Sequence, residues 1–289
     1  MLKFKFGIQP VNVGIDDASS MVAIAQHAES VGVESVWTFE HVIVPADYAS
    51  SYPYHRSGKM PAAPTTPFHD PLITLSYLAA STTTLRLGTG INILPQVNPL
   101  LFAKQVATLD ALSGGRTLMG VGGGWLREEF EALGVPFARR GARFDDYLTA
   151  VRKVWSGETV EHKSEFLDWS GFKSFPLPAQ RPGPPLIIGG VSEPAMRRAA
   201  RLGDGWFALS KTIDELRPLI ARFREVCAEN ERDPDTIEIT TSWLPHYEGG
   251  FDTWEAYRDA GISRLVVPLS QLGKQGPIAG LTAMADALS

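Results

Sequence analysis

Glu40 and His41 stand side by side where a short apolar run, "SVWTF" at 35–39, gives out. A carboxylate and an imidazole at such a point can manage a proton, because histidine is the side chain whose ordinary pKa lies nearest neutrality. Two glycine turns offer a different chemistry. Gly122, Gly123 and Gly124 follow the apolar run "RTLMGV" and precede a helical stretch. Three small residues in a row let a ligand approach the backbone closely. Gly189 and Gly190 follow "PLII" and lead through Val191 and Ser192 into "EPAMRRAARL". Amides at such a helix start suit a phosphate, although Ser192 could equally cap the helix. The glycines from 120 onward are not a dinucleotide fingerprint, since Gly-x-Gly-x-x-Gly would need glycine where Trp125 stands. His27 falls inside a helical pattern, and His55, His69, His162 and His246 fall in loops. With no His-x-His or His-Glu-x-x-His spacing, no metal site is expected.

The elements that must position these groups are legible as an alternation. Apolar, β-branched runs such as "KFKFGIQP", "LRLGTGINIL" and "SRLVVPLS" alternate with amphipathic stretches. In "DDASSMVAIAQHAESVG", 16–32, the residues Met21, Ile24, Ala25 and Ala28 form the i, i+3, i+4, i+7 face of a helix, with Asp16 or Asp17 as cap and Gly32 as its stop. Eight such strand–helix units imply a (β/α)8 TIM barrel forming a single domain over 1–289. Insertions are expected after strand two, at 45–69, and between strands four and five, at 157–184. Trp125 to Trp155 reads as one longer helical region. A barrel of this kind carries its active site at the carboxyl ends of its strands, which is where Glu40-His41 falls. Alternation along strand two would put Trp37, Phe39 and His41 on one face and Glu40 on the other. Trp37, Trp125, Tyr52 and Tyr54 would then wall a substrate pocket, under an ordered cover formed by 45–69.

Charge and composition exclude several partners. Lys and Arg total 27 against 32 Asp and Glu, and no basic run occurs, so neither nucleic acid nor an anionic membrane is expected. No apolar run approaches the ~20 residues of a spanning helix, and the start lacks a signal-peptide core. Cys227, the single cysteine, lies in a helical pattern and reads as a packing thiol. A reducing, cytoplasmic setting follows.

Five stretches taken together resemble the bacterial luciferase-like superfamily: "SVWTFEH", "LGTGINILPQVNPLLFAKQVATLDALSGGR", "GVGGGWLREEFEALGVPFARRGARFDDYLTAVRKVW", "IIGG" and "GDGW". The likeness is greatest to its branch of F420-dependent (deazaflavin) oxidoreductases. It runs through nearly the whole chain, and its third stretch is the most specific. The resemblance implies a TIM barrel binding coenzyme F420 or, alternatively, FMN at its mouth, and a homodimer. It places the family's Asp-His pair on Glu40-His41. His41 would serve as proton donor or acceptor and Glu40 would contact the cofactor, one methylene longer than the family's acid. It implies a cis peptide at Gly90-Ile91, which with Asn92 would lie under the cofactor ring. It assigns Gly122, Gly123, Gly124, Gly189, Gly190, Val191 and Ser192 to the cofactor's chain and phosphate. Trp125 occupies the place of a glutamate base in the family's sugar-phosphate dehydrogenases, which argues against glucose-6-phosphate. The function expected is hydride transfer between F420 and a small, fairly apolar carbonyl, alcohol or activated alkene. The alternatives are an FMNH2-dependent monooxygenase and a non-catalytic cofactor-binding protein.

Overall fold

The computed structural model describes residues 2–209, 212–245 and 250–289. Eight parallel strands close into a barrel, in the spatial order β1-β10-β9-β8-β7-β4-β3-β2. In chain order these are β1 Lys5–Gln9, β2 Ser35–Thr38, β3 Arg86–Ile93, β4 Thr117–Gly122, β7 Leu186–Gly189, β8 Gly205–Phe207, β9 Glu238–Ser242 and β10 Arg264–Pro268. The order is sequential around the barrel, as the strand–helix alternation requires.

Helices fill the crossovers: α1 Ala18–Ser30, α2 Pro71–Ala79, α3 Pro99–Leu112, α4 Arg127–Ala132, α5 Arg140–Trp155, α6 Glu193–Leu202, α7 Ile213–Glu229, α8 Trp254–Asp259 and α9 Pro277–Leu288. Their starts are chemically marked. The Asp17 carboxylate accepts from the Ser20 N–H at 2.7 Å, Asp70 from Ile73 at 2.8 Å, and Asn98 from Leu100 and Leu101 ahead of α3, whose first residue is Pro99. Met21, Ile24, Ala25 and Ala28 are the buried face of α1, as their spacing predicts.

Two expectations need correction. The region 125–155 is two helices, α4 and α5, because Gly134 with a φ of 68° and then Pro136 break it. Strand two stops at Thr38, three residues short of His41, for a reason that belongs to the site. The second insertion holds a hairpin, β5 Val160–Lys163 paired antiparallel with β6 Asp168–Phe172, followed by an extended tail.

The barrel is plugged from its amino end upward. Arg264 is fully buried there, and its guanidinium donates to both oxygens of Glu34 at 2.8 Å and to Glu238 at 3.3 Å. Above it the Trp37 indole lies flat on Phe207, with centroids 5.6 Å apart and planes at 1°, in a layer with Leu118, Ile187 and Val266. Gly7 and Gly88 make room for that indole: a Cβ on Gly88 would lie 2.5 Å from its ring. With the interior filled, chemistry is confined to the carboxyl-end mouth. No helix among the described residues is long and apolar enough to cross a membrane.

Candidate active site

The approach to the site begins with Asn12, a fully buried residue just after β1. Its Nδ2 donates to the Phe39 carbonyl at 2.8 Å, and its Oδ1 accepts from the Phe39 N–H at 2.9 Å. This side chain replaces the strand partner of Phe39, so the pleat of β2 ends early. Trp37, Phe39 and His41 therefore do not form one face. Glu40 and His41, freed from alternation, both reach neighbouring elements at the mouth.

Glu40 turns to the end of β3. Its Oε1 accepts from Asn92 Nδ2 at 2.7 Å, and its Oε2 from the Ile93 N–H. Burial pushes its carboxyl up to about 7, against the pull of those two donors, and the nearby Glu129 charge adds to the rise. His41 turns to α4. Its Nδ1 lies 3.2 Å from Glu129 Oε2, and its ring stands edge-on to Phe68 at 5.5 Å and Trp125 at 6.0 Å. The side chain of Glu129 is 2% exposed and that of His41 11%. The other Glu129 oxygen accepts from the Val42 and Ile43 N–H groups at 2.6 and 3.3 Å. Glu129 escaped the motif reading. One signal could have shown it: it stands three residues after Leu126 and one before Phe130, both buried, so a carboxylate lies on the apolar stripe of α4.

The cover is ordered, as its aromatics suggested. Tyr52 and Tyr48 pack against Trp125 at 5.1 and 5.6 Å, and Tyr54 against Tyr52 at 5.5 Å. Burial pushes the Tyr52 phenol up to about 12 and raises Tyr54 as well, so both are neutral donors. Trp37, in contrast, is 0% exposed and lies below Gly90 as floor, so it does not wall the pocket.

The glycine turns divide. A Cβ on Gly122 would lie 2.0 Å from Ile91 Cδ1, and one on Gly189 2.7 Å from the same atom. Both are small because the Ile91 side chain needs the space. Gly124 has a φ of 75° and is hemmed by Ile93 and Phe130, whereas Gly123 has only Phe144 near, at 3.9 Å. Gly123 is thus the one of the three with an open face. At the β7 turn, Gly190 takes a φ of 116°, and its N–H is already donated to the Phe207 carbonyl at 3.1 Å. That removes Gly190 from the predicted anion donors. Ser192 is the N-cap residue of α6, yet its side chain makes no capping bond. Among the described residues the N–H groups of Val191 and Ser192 remain without an acceptor at this turn. The peptide between Gly90 and Ile91 is cis.

Residues 3–266 match the luciferase-like monooxygenase family. The chain belongs to that family. It is 36% identical over 264 residues, 90% of this chain and 88% of the other, to an uncharacterized protein of Mycobacterium tuberculosis. It is 28% identical to an F420-dependent glucose-6-phosphate dehydrogenase of Amycolatopsis mediterranei, over 84% of this chain and 71% of that one. It is 30% identical to an FMNH(2)-dependent dimethylsulfone monooxygenase of Pseudomonas putida, over 55% of this chain and 44% of that one. Among solved structures, an F420-dependent secondary alcohol dehydrogenase in complex with an F420-acetone adduct superposes with a TM-score of 0.78 at 16% identity, covering 100% of both chains. The family establishes an oxidoreductase on a (β/α)8 barrel.

Of the described residues, the remaining histidines are held by structural partners. His27 Nε2 pairs with Thr282 Oγ1 at 2.8 Å, His69 Nε2 with the Ile15 carbonyl at 2.9 Å, and His162 Nε2 with Asp146 at 2.8 Å. His55 bonds Ser57 within its own turn. His246 lies outside the described residues. Arg197 and Arg198 are ion-paired, to Glu193 and Glu229 and to Asp145. Cys227 is buried. A surface cavity of about 540 Å³, lined by Arg152, Arg201 and Arg232, adjoins Gly203 and Asp204 just before β8, at the barrel end opposite His41.

Proposed function

We propose that this oxidoreductase transfers a hydride between coenzyme F420, held at the barrel mouth, and a small, fairly apolar carbonyl, alcohol or activated alkene. The observation that carries the reading is His41: an imidazole with one nitrogen held by a buried glutamate, walled by Phe68 and Trp125, at the catalytic end of the barrel. The F420-dependent relative aligns over 84% of the chain and the FMNH(2)-dependent one over 55%, which favours the deazaflavin.

The mouth fits such a group. Gln9 Oε1 at the end of β1 and Asn92 Oδ1 at the end of β3 are buried with no hydrogen-bond partner among the described residues, and a flat ring with polar edges would supply donors. Glu40, Gly90, Ile91 and Asn92 would hold the ring, Gly123 the chain beyond it, and the N–H groups of Val191 and Ser192 a phosphate. The bound deazaflavin supplies a hydride-carrying carbon in place of the nitrogen that makes flavins reactive with oxygen. His41 takes or returns the substrate proton. Trp125, Tyr52, Tyr54 and Phe68 keep water from it.

Titration with F420 and with FMN, read by tryptophan quenching, tests the choice. Tight FMN binding with no response to F420 would make the protein an FMNH2-dependent monooxygenase. Tight F420 binding without turnover of any carbonyl, alcohol or alkene in a broad panel would make it a binding protein. A cytoplasmic homodimer is also proposed: Ile73 and Tyr77 on α2 and Leu101 on α3 present apolar surface to solvent, and light scattering decides.

A further inference from the structure

We propose that Glu129 is a positioning residue that keeps the His41 proton on Nδ1, leaving Nε2 as the acceptor for the substrate's hydroxyl proton. The inference rests on the functional reading above for its chemistry, but its geometry stands alone. Glu129 Oε1 is occupied by two backbone donors, the Val42 and Ile43 N–H groups. A carboxylate so engaged can only accept. The nitrogen 3.2 Å from Glu129 Oε2 must therefore carry a hydrogen. The two ring nitrogens face different ways, and Nε2 has no hydrogen-bond partner among the described residues.

Three contacts frame the ring. Phe68 and Trp125 stand edge-on to it at 88° and 80°, and the peptides immediately after His41 are pinned to the same carboxylate that holds the ring. In alcohol oxidation the hydroxyl proton would pass to Nε2, while the cofactor, when bound, would take the carbon's hydride with its two electrons. The resulting imidazolium keeps its Nδ1–H on Glu129, whose charge offsets the new one. In carbonyl reduction the same proton returns to the substrate oxygen.

The test is the tautomer itself. Long-range ¹H–¹⁵N spectra of histidine-labelled protein without cofactor, recorded above the imidazole titration with His41 assigned by its loss in His41→Ala, should show Nδ1–H. In Glu129→Gln the new amide oxygen can keep the Val42 and Ile43 donors while its NH2 donates to Nδ1, so the spectrum should switch to Nε2–H. Turnover should fall by about tenfold or more, toward the His41→Ala level, with the cofactor dissociation constant unchanged. Glu129→Asp, which can still only accept, should keep the wild-type tautomer. An Nε2–H signal in the wild type, no switch in Glu129→Gln, or a switch with wild-type turnover would overturn the proposal. If Glu129→Gln does not fold, the wild-type and Glu129→Asp spectra decide alone. Wild-type turnover by His41→Ala would instead sink the functional reading, while the spectra still judge the tautomer.

Discussion

Glu40 and Asn92 join two strands where their ladder has ended. The β2–β3 pairing runs to Thr38 opposite Thr89, and beyond it Glu40 Oε1 accepts from Asn92 Nδ2 at 2.7 Å. A half-buried carboxyl replaces backbone hydrogen bonds, and its desolvation raises it from 4.5 to about 7.

That shift predicts a pH dependence of stability. An acid whose folded pKa is raised binds more protons folded than unfolded between 4.5 and about 7. Its contribution is therefore most favourable below that window and is lost as pH rises through it. Glu40→Gln removes the effect, and Asn92 can rotate its unpartnered Oδ1 toward the new amide. Denaturant unfolding of both proteins should show the variant gaining on the wild type from pH 5 to pH 8, by up to ~3 kcal/mol. A constant difference would mean that Glu40 titrates as an exposed acid does.

The adjacent residues should separate binding from chemistry. His41→Ala should slow turnover by about 10²–10⁴-fold with little change in cofactor affinity, since a placed acid–base group contributes about that much. Glu40→Ala should weaken cofactor binding more than it slows the chemical step. Steady-state kinetics at saturating cofactor, together with a binding titration, check both. Equal rates for His41→Ala and wild type would shift the proton to Tyr52, Tyr54 or His55.

The barrel was legible because parallel strands buried on both faces read as apolar runs, and because Asp70, Asn98 and Pro99 mark helix starts chemically. Three site features were hidden, each because its cause is distant in sequence. Strand two ends early through a side chain 27 positions upstream, Asn12. Glu129 meets His41 across 88 positions. Gly122 looks like part of a ligand surface from sequence, but Ile91 fills the space beside it.

That last relationship can be tested by a double-mutant cycle. Gly122→Ala would drive a methyl to 2.0 Å from Ile91 Cδ1, whose side chain also fills the space that a Cβ on Gly189 would take. Overpacking of this kind costs about 1–3 kcal/mol. Ile91→Val removes Cδ1 and alone should cost about 0.5–1.5 kcal/mol. Combined, the two should be less damaging than their sum, with a coupling of about 0.5 kcal/mol or more by chemical denaturation. Strict additivity would show that the two residues do not compete for this space.

The aromatic cover should depend on one carboxylate in the first turn of α4. Glu128 accepts from the Ala49 and Ser50 N–H groups at 2.7 and 3.1 Å and from Ser50 Oγ at 2.6 Å, tying down the loop that carries Tyr48 and Tyr52. Those donors hold its pKa down to about 2 from 4.5, so the tie is fully charged at neutral pH and weakens only as pH falls through that window. Glu128→Ala should speed hydrogen exchange at Ala49 and Ser50 by about tenfold or more, since hydrogen bonds to charged groups are the stronger kind. Glu128→Gln, which keeps one acceptor oxygen, should fall between. The melting temperature should move little, because the residue lies at the surface of the barrel rather than in its core. KM should rise more than kcat falls, as Tyr52 and Tyr48 lose their register on Trp125. Unchanged exchange at both amides would mean that the stacked aromatics hold the cover without the carboxylate.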